Sequence, residues 1–303
     1  MSKVFVTGSR GFIAYHLIKN LLEEGHQVLG VDNLFHPCAG KLPKAVWEWG
    51  DVRYYPHVSA YVANCDIVLH LAAQINNDHS IKDPQFTQDV NVIGTLNILE
   101  ACRKFNKRLV FASTSEVYGT SQTEYMNEDH PLNPHNPYGA SKLAADRLAY
   151  SYWMTYGLPV TIVRNFNTFG SYQGFDSYGG VIAKFTYRCL KGLPPQIYGD
   201  GTQERDYMNV QDAVRAYKTC FADEMIGKVV NFGSGKTITI NDLATLIIKY
   251  SRVNLMPEHT APRPGEVKRL CADISLAKSL GFQPTTDFEK DLKDYVVWFK
   301  ENR

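Results

Sequence analysis

The chain has 303 residues, 44% of them hydrophobic and 21% charged, and its 32 basic and 31 acidic side chains leave a formal net charge of +1. That length builds a large core with room for two lobes, and the charge balance excludes a global basic field for nucleic acid or an anionic membrane, so an anionic substrate must be met by local arginines. The opening residues MSKVFVTGS hold too short an apolar run for a signal peptide, no stretch approaches membrane-spanning length, and the six cysteines (Cys38, Cys65, Cys102, Cys189, Cys220, Cys271) include no CxxC pair, so a cytoplasmic protein with reduced, mostly buried thiols is expected.

Residues 4–6 read as a short buried strand that runs into the turn Thr7-Gly8-Ser9-Arg10-Gly11-Phe12-Ile13-Ala14. A helix continues to about Glu24 and stops at Gly25. Gly8 permits the tight turn, Gly11 lets the backbone approach a pyrophosphate at the helix N-terminus, and Ala14 takes the third small position, where helix and strand pack closely. Residues 27–31 form the second strand, which closes on Asp32. An acid there accepts hydrogen bonds from the adenosine ribose hydroxyls and favours NAD over NADP. Asp51 and Val52, after the next strand, are candidates for the adenine end. Residues 65–71 are another apolar strand, and Leu71-Ala72-Ala73 is small enough to pass close under a cofactor. Gln74 and Asn91 are either polar contacts or capping groups. Arg10, Phe12, Ile13, Asn33, Ser113 and Asn165 complete the candidate cofactor shell.

Residues 91–105 have helical periodicity, 108–113 read as a strand, 137–156 as a long helix and 158–164 as a strand. Strands alternating with helices imply an α/β fold with a Rossmann-like, doubly wound parallel sheet covered on both faces. After Asn165 the texture changes. Residues 171–209 are rich in Gly, Pro and Tyr, with a helix at 181–190; residues 210–221 read as a helix, 228–232 as a strand, and the tail holds APRPGE and two helical stretches. The expected organisation is an NAD-binding domain of residues 1–165 plus about 206–230, and a smaller interleaved C-terminal substrate lobe of about 166–205 and 231–303. Ligands are expected in the cleft between them, at the carboxyl ends of the strands. No metal site is expected.

The chemistry-bearing residues concentrate in ASTSEVYG (112–119) and in Tyr138-Gly139-Ala140-Ser141-Lys142. A Tyr and a Lys four residues apart share one helix face. The ammonium favours the phenolate, which brings a group of ordinary pKa about 10 towards the range of a working base. Thr114 and Glu116, two residues apart, are expected on one side of a strand. They add a hydroxyl to hold a substrate alcohol and a second base, for which plain alcohol oxidation has no use.

Taken together, these residues resemble the extended short-chain dehydrogenase/reductase family, the nucleotide-sugar epimerases and dehydratases, over nearly the whole chain. The likeness rests on the TGxxGFIx turn, Asp32, HLAAQ (70–74), NVIGTLNILEA (91–101), the YxxxK pair, RNFNTFG (164–170), IYGDGTQERDY (197–207), NFGSG (231–235) and PRPGE (262–266). Two positions depart from the pattern: Ala14 replaces the third Gly, and Ser171-Tyr172 stands where Pro-Arg usually follows RxFNxxG. The resemblance implies a tightly bound NAD, reduced and reoxidised within one turnover, and a nucleotide-sugar whose diphosphate is held by Asn167, Arg205 and Arg263. Arginine forks bind phosphate oxygens bidentately and stay charged. Lys184, Ile197 and Tyr198 are further nucleotide contacts, and Val181, Gln196 and Glu266 complete the substrate set. Tyr178 and Tyr207 read as packing residues. The family also implies a homodimer through a four-helix bundle of residues 91–105 and the Ala-rich helix after Tyr138.

In such enzymes sugar C4 is oxidised while a Tyr, here Tyr138, takes the hydroxyl proton and Thr114 holds the same oxygen. Simple 4-epimerases rotate the keto-sugar and return the hydride to its other face, and have small or neutral residues at the position of Glu116. Dehydratases similar to this chain carry Glu there, as the base that removes the acidified C5 proton so that the C6 hydroxyl leaves. At Ser115, dTDP-glucose 4,6-dehydratases usually have Asp, the acid for that hydroxyl, whereas GDP-mannose 4,6-dehydratases and UDP-xylose synthases resemble this chain in having Ser. Serine is too weak an acid to act unaided, so either Glu116 shuttles the proton from C5 to the C6 oxygen or a water does. UDP-xylose synthases, which decarboxylate a uronic acid, typically have an apolar or small residue after the QxR arginine, and Asp206 here argues against a substrate carboxylate nearby. A closer resemblance is to the UDP-N-acetylglucosamine 5,6-dehydratases of tunicamycin and bacillary pseudaminic-acid type pathways. They share the short length, an xTxEVYG motif without the Asp, VVNFGSG before a TITIND-like run, and PRPxE before an ADxS-like segment. The leading expectation is dehydration of UDP-GlcNAc to a 5,6-ene or 4-keto-6-deoxy product. The alternatives are a UDP-hexose or UDP-hexosamine 4-epimerase, and a non-catalytic NAD-binding paralogue that the intact Thr114, Tyr138 and Lys142 disfavour.

Overall fold

Strands buried on both faces of a parallel sheet read as continuous apolar runs, and the runs in this chain are used that way. The computed structural model describes residues 1–302. Its strands, in chain order, are β1 (Lys3–Thr7), β2 (Gln27–Asp32), β3 (Trp47–Trp49), β4 (Ile67–His70), β5 (Arg108–Thr114), β6 (Val160–Asn165), β7 (Asn167–Phe169), β8 (Gln196–Tyr198), β9 (Glu204–Asn209), β10 (Val229–Phe232), β11 (Thr237–Thr239), β12 (Glu258–Thr260) and β13 (Arg269–Leu270). Its helices are α1 (Phe12–Glu23), α2 (Tyr55–Ala63), α3 (Asn77–Lys82), α4 (Pro84–Gln88), α5 (Gly94–Phe105), α6 (Pro137–Tyr156), α7 (Val181–Leu190), α8 (Val210–Thr219), α9 (Ile240–Ser251), α10 (Ser275–Ser279) and α11 (Phe288–Asn302).

Seven strands form one sheet in the order β10-β6-β5-β4-β1-β2-β3, and every neighbouring pair is parallel. This is the Rossmann-like α/β architecture the alternating pattern predicts. One face carries α1 and α8 over Val4, Val6, Leu69, Val110 and Val163; the other carries α2, α5 and α6 over Phe5, Val68, Phe111 and Ile162. Winding reverses between β1 and β4, and that reversal opens a crevice beyond their carboxyl ends.

The smaller lobe is built on the sheet β11-β9-β13, with β7 alongside β9, and on the pair β12-β8. Its own core joins α7, α9 and α11 through Phe185, Leu243, Ile247 and Phe299. The anticipated limits at 206 and 230 fall inside strands: β9 lies wholly in the small sheet, and β10 pairs with β6 as far as Phe232. All six cysteines are buried. Among the described residues no helix is long and apolar enough to cross a membrane.

Candidate active site

The cleft at the switch point has a volume of about 450 Å³, within the usual range of small-molecule sites. At its floor Gly8 adopts φ +67°, and a Cβ there would lie 2.8 Å from Ala72 N and Cα. Only glycine allows that approach of the first turn to the Leu71-Ala72-Ala73 segment. Gly11 precedes α1 and no side chain caps that helix, so its first N–H groups face the cleft wall formed by Gly11, Phe12 and Ile13. Such a terminus attracts a pyrophosphate.

Asp32 ends β2 in the same cleft. Its Oδ2 accepts the Arg10 N–H at 2.9 Å and its Oδ1 the Leu34 N–H at 2.7 Å. Burial pushes its pKa up against these two hydrogen bonds. Each carboxylate oxygen keeps a lone pair for a ribose hydroxyl. Asp51 and Val52 line the cleft with Asn33. Burial works to raise the Asp51 pKa, but the Arg53 fork and the Asn33 amide outweigh it and hold the carboxyl below its ordinary value. Arg10 contributes through its backbone alone: its guanidinium donates to Gly40 O at 3.1 Å and covers Trp47, outside the cleft. Asn91 lies one layer back. Its side chain exchanges hydrogen bonds with the Gln74 backbone (2.8 and 2.9 Å) and donates to Ser141 Oγ at 2.8 Å, so it positions Gln74, which does line the cleft.

At the far end Ser113, Thr114, Ser115, Glu116, Tyr138, Lys142 and Asn165 meet around the same space. Thr114 and Glu116 do not share a strand face. β5 ends at Thr114, whose hydroxyl accepts the Glu116 N–H at 3.3 Å and folds Ser115–Val117 into a single 3-10 turn. The turn still aims the carboxylate into the cleft. Tyr138 and Lys142 share a face of α6, as the spacing requires, and both are buried. Lys142 Nζ donates to Ala112 O at 2.5 Å and lies 4.5 Å from the Phe111 ring centre. Burial lowers its pKa to about 7, opposed by Asp146 one helical turn on. Burial likewise pushes the Tyr138 phenol up; the Thr114 hydroxyl pulls it down and the Glu116 charge pushes it up. Burial is the largest influence on the phenol, and the Lys142 charge is not among the groups that shift it; the expected lowering rests on Lys142 together with a bound nicotinamide. Burial raises the Glu116 pKa too, against Arg205 and an amide hydrogen bond from Asn136.

The substrate candidates divide. Asn167 and Val181 line a second cavity of about 110 Å³ with Gln173 and Tyr207. Arg205 Nη2 pairs with Glu266 at 2.7 Å, within electrostatic reach of Glu116. Arg263 lies 3.8 Å from the centre of the Tyr198 ring and 3.3 Å from the Asp78 carboxylate. Lys184 Nζ donates to Ser177 O at 3.1 Å. Gln196 is half-buried on β8, and the Ile197 side chain is enclosed in the small-lobe core. Asp206 does not face the cleft: its carboxylate accepts the N–H groups of Ser234, Gly235 and Ala272. Contrary to the sequence-based expectation, its presence therefore says nothing about a substrate carboxylate.

Phe35, His36, Phe86 and Tyr178 also line the cleft. His36 stacks on Tyr178 with ring centres 4.5 Å apart and pairs with Asp176 at 2.8 Å. Lone aromatic rings carry no sequence signal, and Tyr178 both packs on Phe35, His36 and His79 and lines the cleft. The donor set fits a dinucleotide and a polar substrate. Asn165 Oδ1, Gln173 Oε1, Tyr178 OH and Tyr207 OH are buried, without a hydrogen-bond partner, at positions that line the two cavities. Buried polar atoms without partners are uncommon unless a ligand completes them.

Comparison with known proteins agrees with this geometry. Residues 4–233 match the model of the NAD dependent epimerase/dehydratase family. UDP-glucose 4-epimerase of Mycolicibacterium smegmatis is 33% identical over 312 residues, covering 98% of each chain. dTDP-glucose 4,6-dehydratase of Streptomyces antibioticus is 31% identical over 316 residues, covering 99% of this chain and 93% of that one. The crystal structure of Thermus thermophilus UDP-glucose 4-epimerase in complex with NAD superposes with a TM-score of 0.93 at 32% identity, over 99% of this chain and 100% of that one. The cofactor is NAD, the relatives include both epimerases and dehydratases of nucleotide sugars, and the chain belongs to the NAD dependent epimerase/dehydratase family.

Proposed function

We propose that the protein dehydrates a nucleotide-activated hexose, with UDP-GlcNAc the leading substrate. The observation that carries this reading is the Glu116 carboxylate, which lines the cleft beside Thr114 and Tyr138 where a 4-epimerase needs no second base. Gly8, Gly11, Asp32, Asp51 and the Leu71-Ala73 segment would hold NAD, which when bound would supply the hydride acceptor for C4. Thr114 positions the C4 hydroxyl, and Tyr138 takes its proton as C4 becomes a ketone. Lys142 orients this end of α6 through Ala112 O. Glu116 then removes the C5 proton, and the C6 hydroxyl departs as water with a proton delivered by Glu116 or a bound water. Ser115, only 2% exposed, is too enclosed and too weak an acid to deliver it alone. A product reduced at C4 would be the 5,6-ene and one reduced at C6 the 4-keto-6-deoxy sugar; both have lost one water overall. Asn167, Arg205 and Arg263 hold the diphosphate, Arg205 exchanging Glu266 for phosphate oxygens.

The second reading, a UDP-hexose or UDP-hexosamine 4-epimerase, is favoured by the epimerase relatives. Incubation with UDP-GlcNAc in D2O, followed by NMR of the product, separates the two. Loss of water supports dehydration, either as a 5,6-ene with no hydrogen on C5 or as a 4-keto-6-deoxy sugar with deuterium at C5. Recovery of UDP-GalNAc alone, with no C5 exchange, would sink it. We also propose a homodimer, on the exposed Tyr150, Met154 and Tyr156 along the outer side of α6, and a cytoplasmic location, in keeping with the six free cysteines.

A further inference from the structure

We propose that Asn136 is a positioning residue that joins the catalytic helix to the second base, capping α6 with its oxygen and holding the Glu116 carboxylate ready with its nitrogen. The inference rests on the reading of Glu116 as the C5 base. Asn136 Oδ1 accepts the Gly139 N–H at 2.8 Å, and its Nδ2 donates to Glu116 Oε2 at 3.2 Å. The side chain is 7% exposed, so neither bond competes freely with water. The orientation of the amide follows from its neighbours: a backbone N–H on one side needs an acceptor, and a carboxylate on the other needs a donor.

Two close approaches hold this arrangement. A Cβ on Gly139 would sit 2.9 Å from Glu116 O, so the start of α6 lies directly against the Glu116 turn. A Cβ on Gly265 would sit 2.6 Å from His135 O and 3.5 Å from Asn136 Cβ, so the Arg263–Glu266 turn of the substrate lobe rests on the same peptide. Asn136 therefore lies where the helix of Tyr138, the turn of Glu116 and the loop of Arg263 converge.

The groups that face the Glu116 carboxyl are Arg205 from β9, Glu266 from the substrate-lobe turn, and His135, Asn136 and Tyr138 at the start of α6. Arg205 is shared with Glu266, whose charge opposes it. The amide of Asn136 is then the steady donor to the ionised form, and a donor to a carboxylate favours its charge. Serine and aspartate cap a helix as well as asparagine does. Neither can donate an amide hydrogen to Glu116, and an aspartate at this position would add a like charge.

The test compares the NAD-loaded wild type with N136S and N136D. The Glu116 carboxyl titration is read from its infrared band by difference against E116Q. We expect it to rise by about one to two pH units in N136S, and further in N136D. The melting temperature should stay within about 2 °C, because the cap is kept. With UDP-GlcNAc in D2O, the acid limb of C5 exchange should move by the same amount while reduction of the nicotinamide at 340 nm keeps its pH profile. An unchanged Glu116 titration in N136S overturns the inference. A shifted titration in a protein whose wild type neither loses water from UDP-GlcNAc nor exchanges C5 hydrogen upholds the role of Asn136 and overturns the dehydratase reading instead.

Discussion

Glu116 sits where β5 gives way to a 3-10 turn, and its neighbours decide what it does. In the proposed reaction Thr114 and Tyr138 serve the oxidation of C4, and only the carboxylate reaches further. In Glu116→Gln the Asn136 amide meets an amide instead of a carboxylate, and the volume is unchanged. C4 oxidation should persist within a few-fold, whereas C5 exchange should fall by about 10²–10⁴, the usual contribution of a positioned base. Stopped-flow absorbance of the reduced nicotinamide reads the first, and deuterium NMR the second. Full elimination by the variant would remove Glu116 from the mechanism. The phenol of Tyr138 belongs to the same electrostatic group. Burial and the Glu116 charge both raise it, so the oxidation step in Glu116→Gln should show its acid limb at lower pH than in wild type, which a pH series of the same absorbance transient checks.

At the scale of elements, the first turn and β4 are the parts least tolerant of change. Gly8→Ala puts a methyl group within 2.8 Å of the Ala72 backbone and holds alanine at φ +67°. The left-handed backbone alone costs about 1–2 kcal/mol, and the backbone of β4's exit must move to relieve the clash. A lower melting temperature and NAD lost on gel filtration are the expected outcomes. His70 ends β4 between Thr7 of β1 at 2.7 Å and Thr95 of α5 at 3.0 Å. Burial, helped by the Lys142 charge, lowers its pKa to about 3. Below about pH 6.5 the unfolded chain binds a proton that the folded His70 refuses. Its contribution to stability is thus complete above that pH and is lost progressively as pH falls towards 3. The loss is at most about 1.4 kcal/mol per pH unit. Urea unfolding between pH 7.5 and 5 should show a steeper acid decline in wild type than in His70→Gln, which keeps a donor and an acceptor; equal slopes would refute the assignment.

The same scale explains what can be read in advance. β1, β2, β4, β5, β6 and β10 are apolar runs with turn signals, and the fingerprint turn, Asp32 and the YxxxK helix lie at their ends, where the sheet topology gathers them. β3, β7, β8, β11 and β12 are three-residue strands. Strands so short carry no periodicity and exist only through their partners. α9 does have a legible start, Thr239 accepting the Asp242 N–H at 3.0 Å. The 3-10 turn at Ser115–Val117 is invisible in the sequence because residues 113–117 hold no glycine or proline to mark where β5 stops. Asn136 is legible as a cap before a proline but not as a partner of Glu116, since that contact spans two elements.

At the scale of the whole molecule, the catalytic helix has two working sides. The inner side of α6 buries Tyr138, Lys142, Ala145, Asp146, Ala149 and Tyr152 against the sheet and α5. The outer side presents Tyr150 at 38% and Met154 at 63% exposure, four residues apart, with Tyr156 at 56% near the end of the helix. Large apolar side chains aligned on one outer face are costly for a lone soluble chain and fit a symmetric helix-to-helix contact, in which each patch covers its copy. Arg147, whose guanidinium lies 5.0 Å from the Tyr150 ring, gives that face a polar margin. Light scattering of the wild type should therefore give twice the mass of one chain, with a melting temperature that rises with protein concentration. Met154→Glu places two carboxylates near the axis of a dry contact and should yield a monomer. Tyr138 and Lys142 sit on the opposite side of the same helix, so the monomer should keep its NAD and its C4 oxidation but melt earlier. A wild type that scatters as a single chain at all concentrations would leave the outer face of α6 without this role.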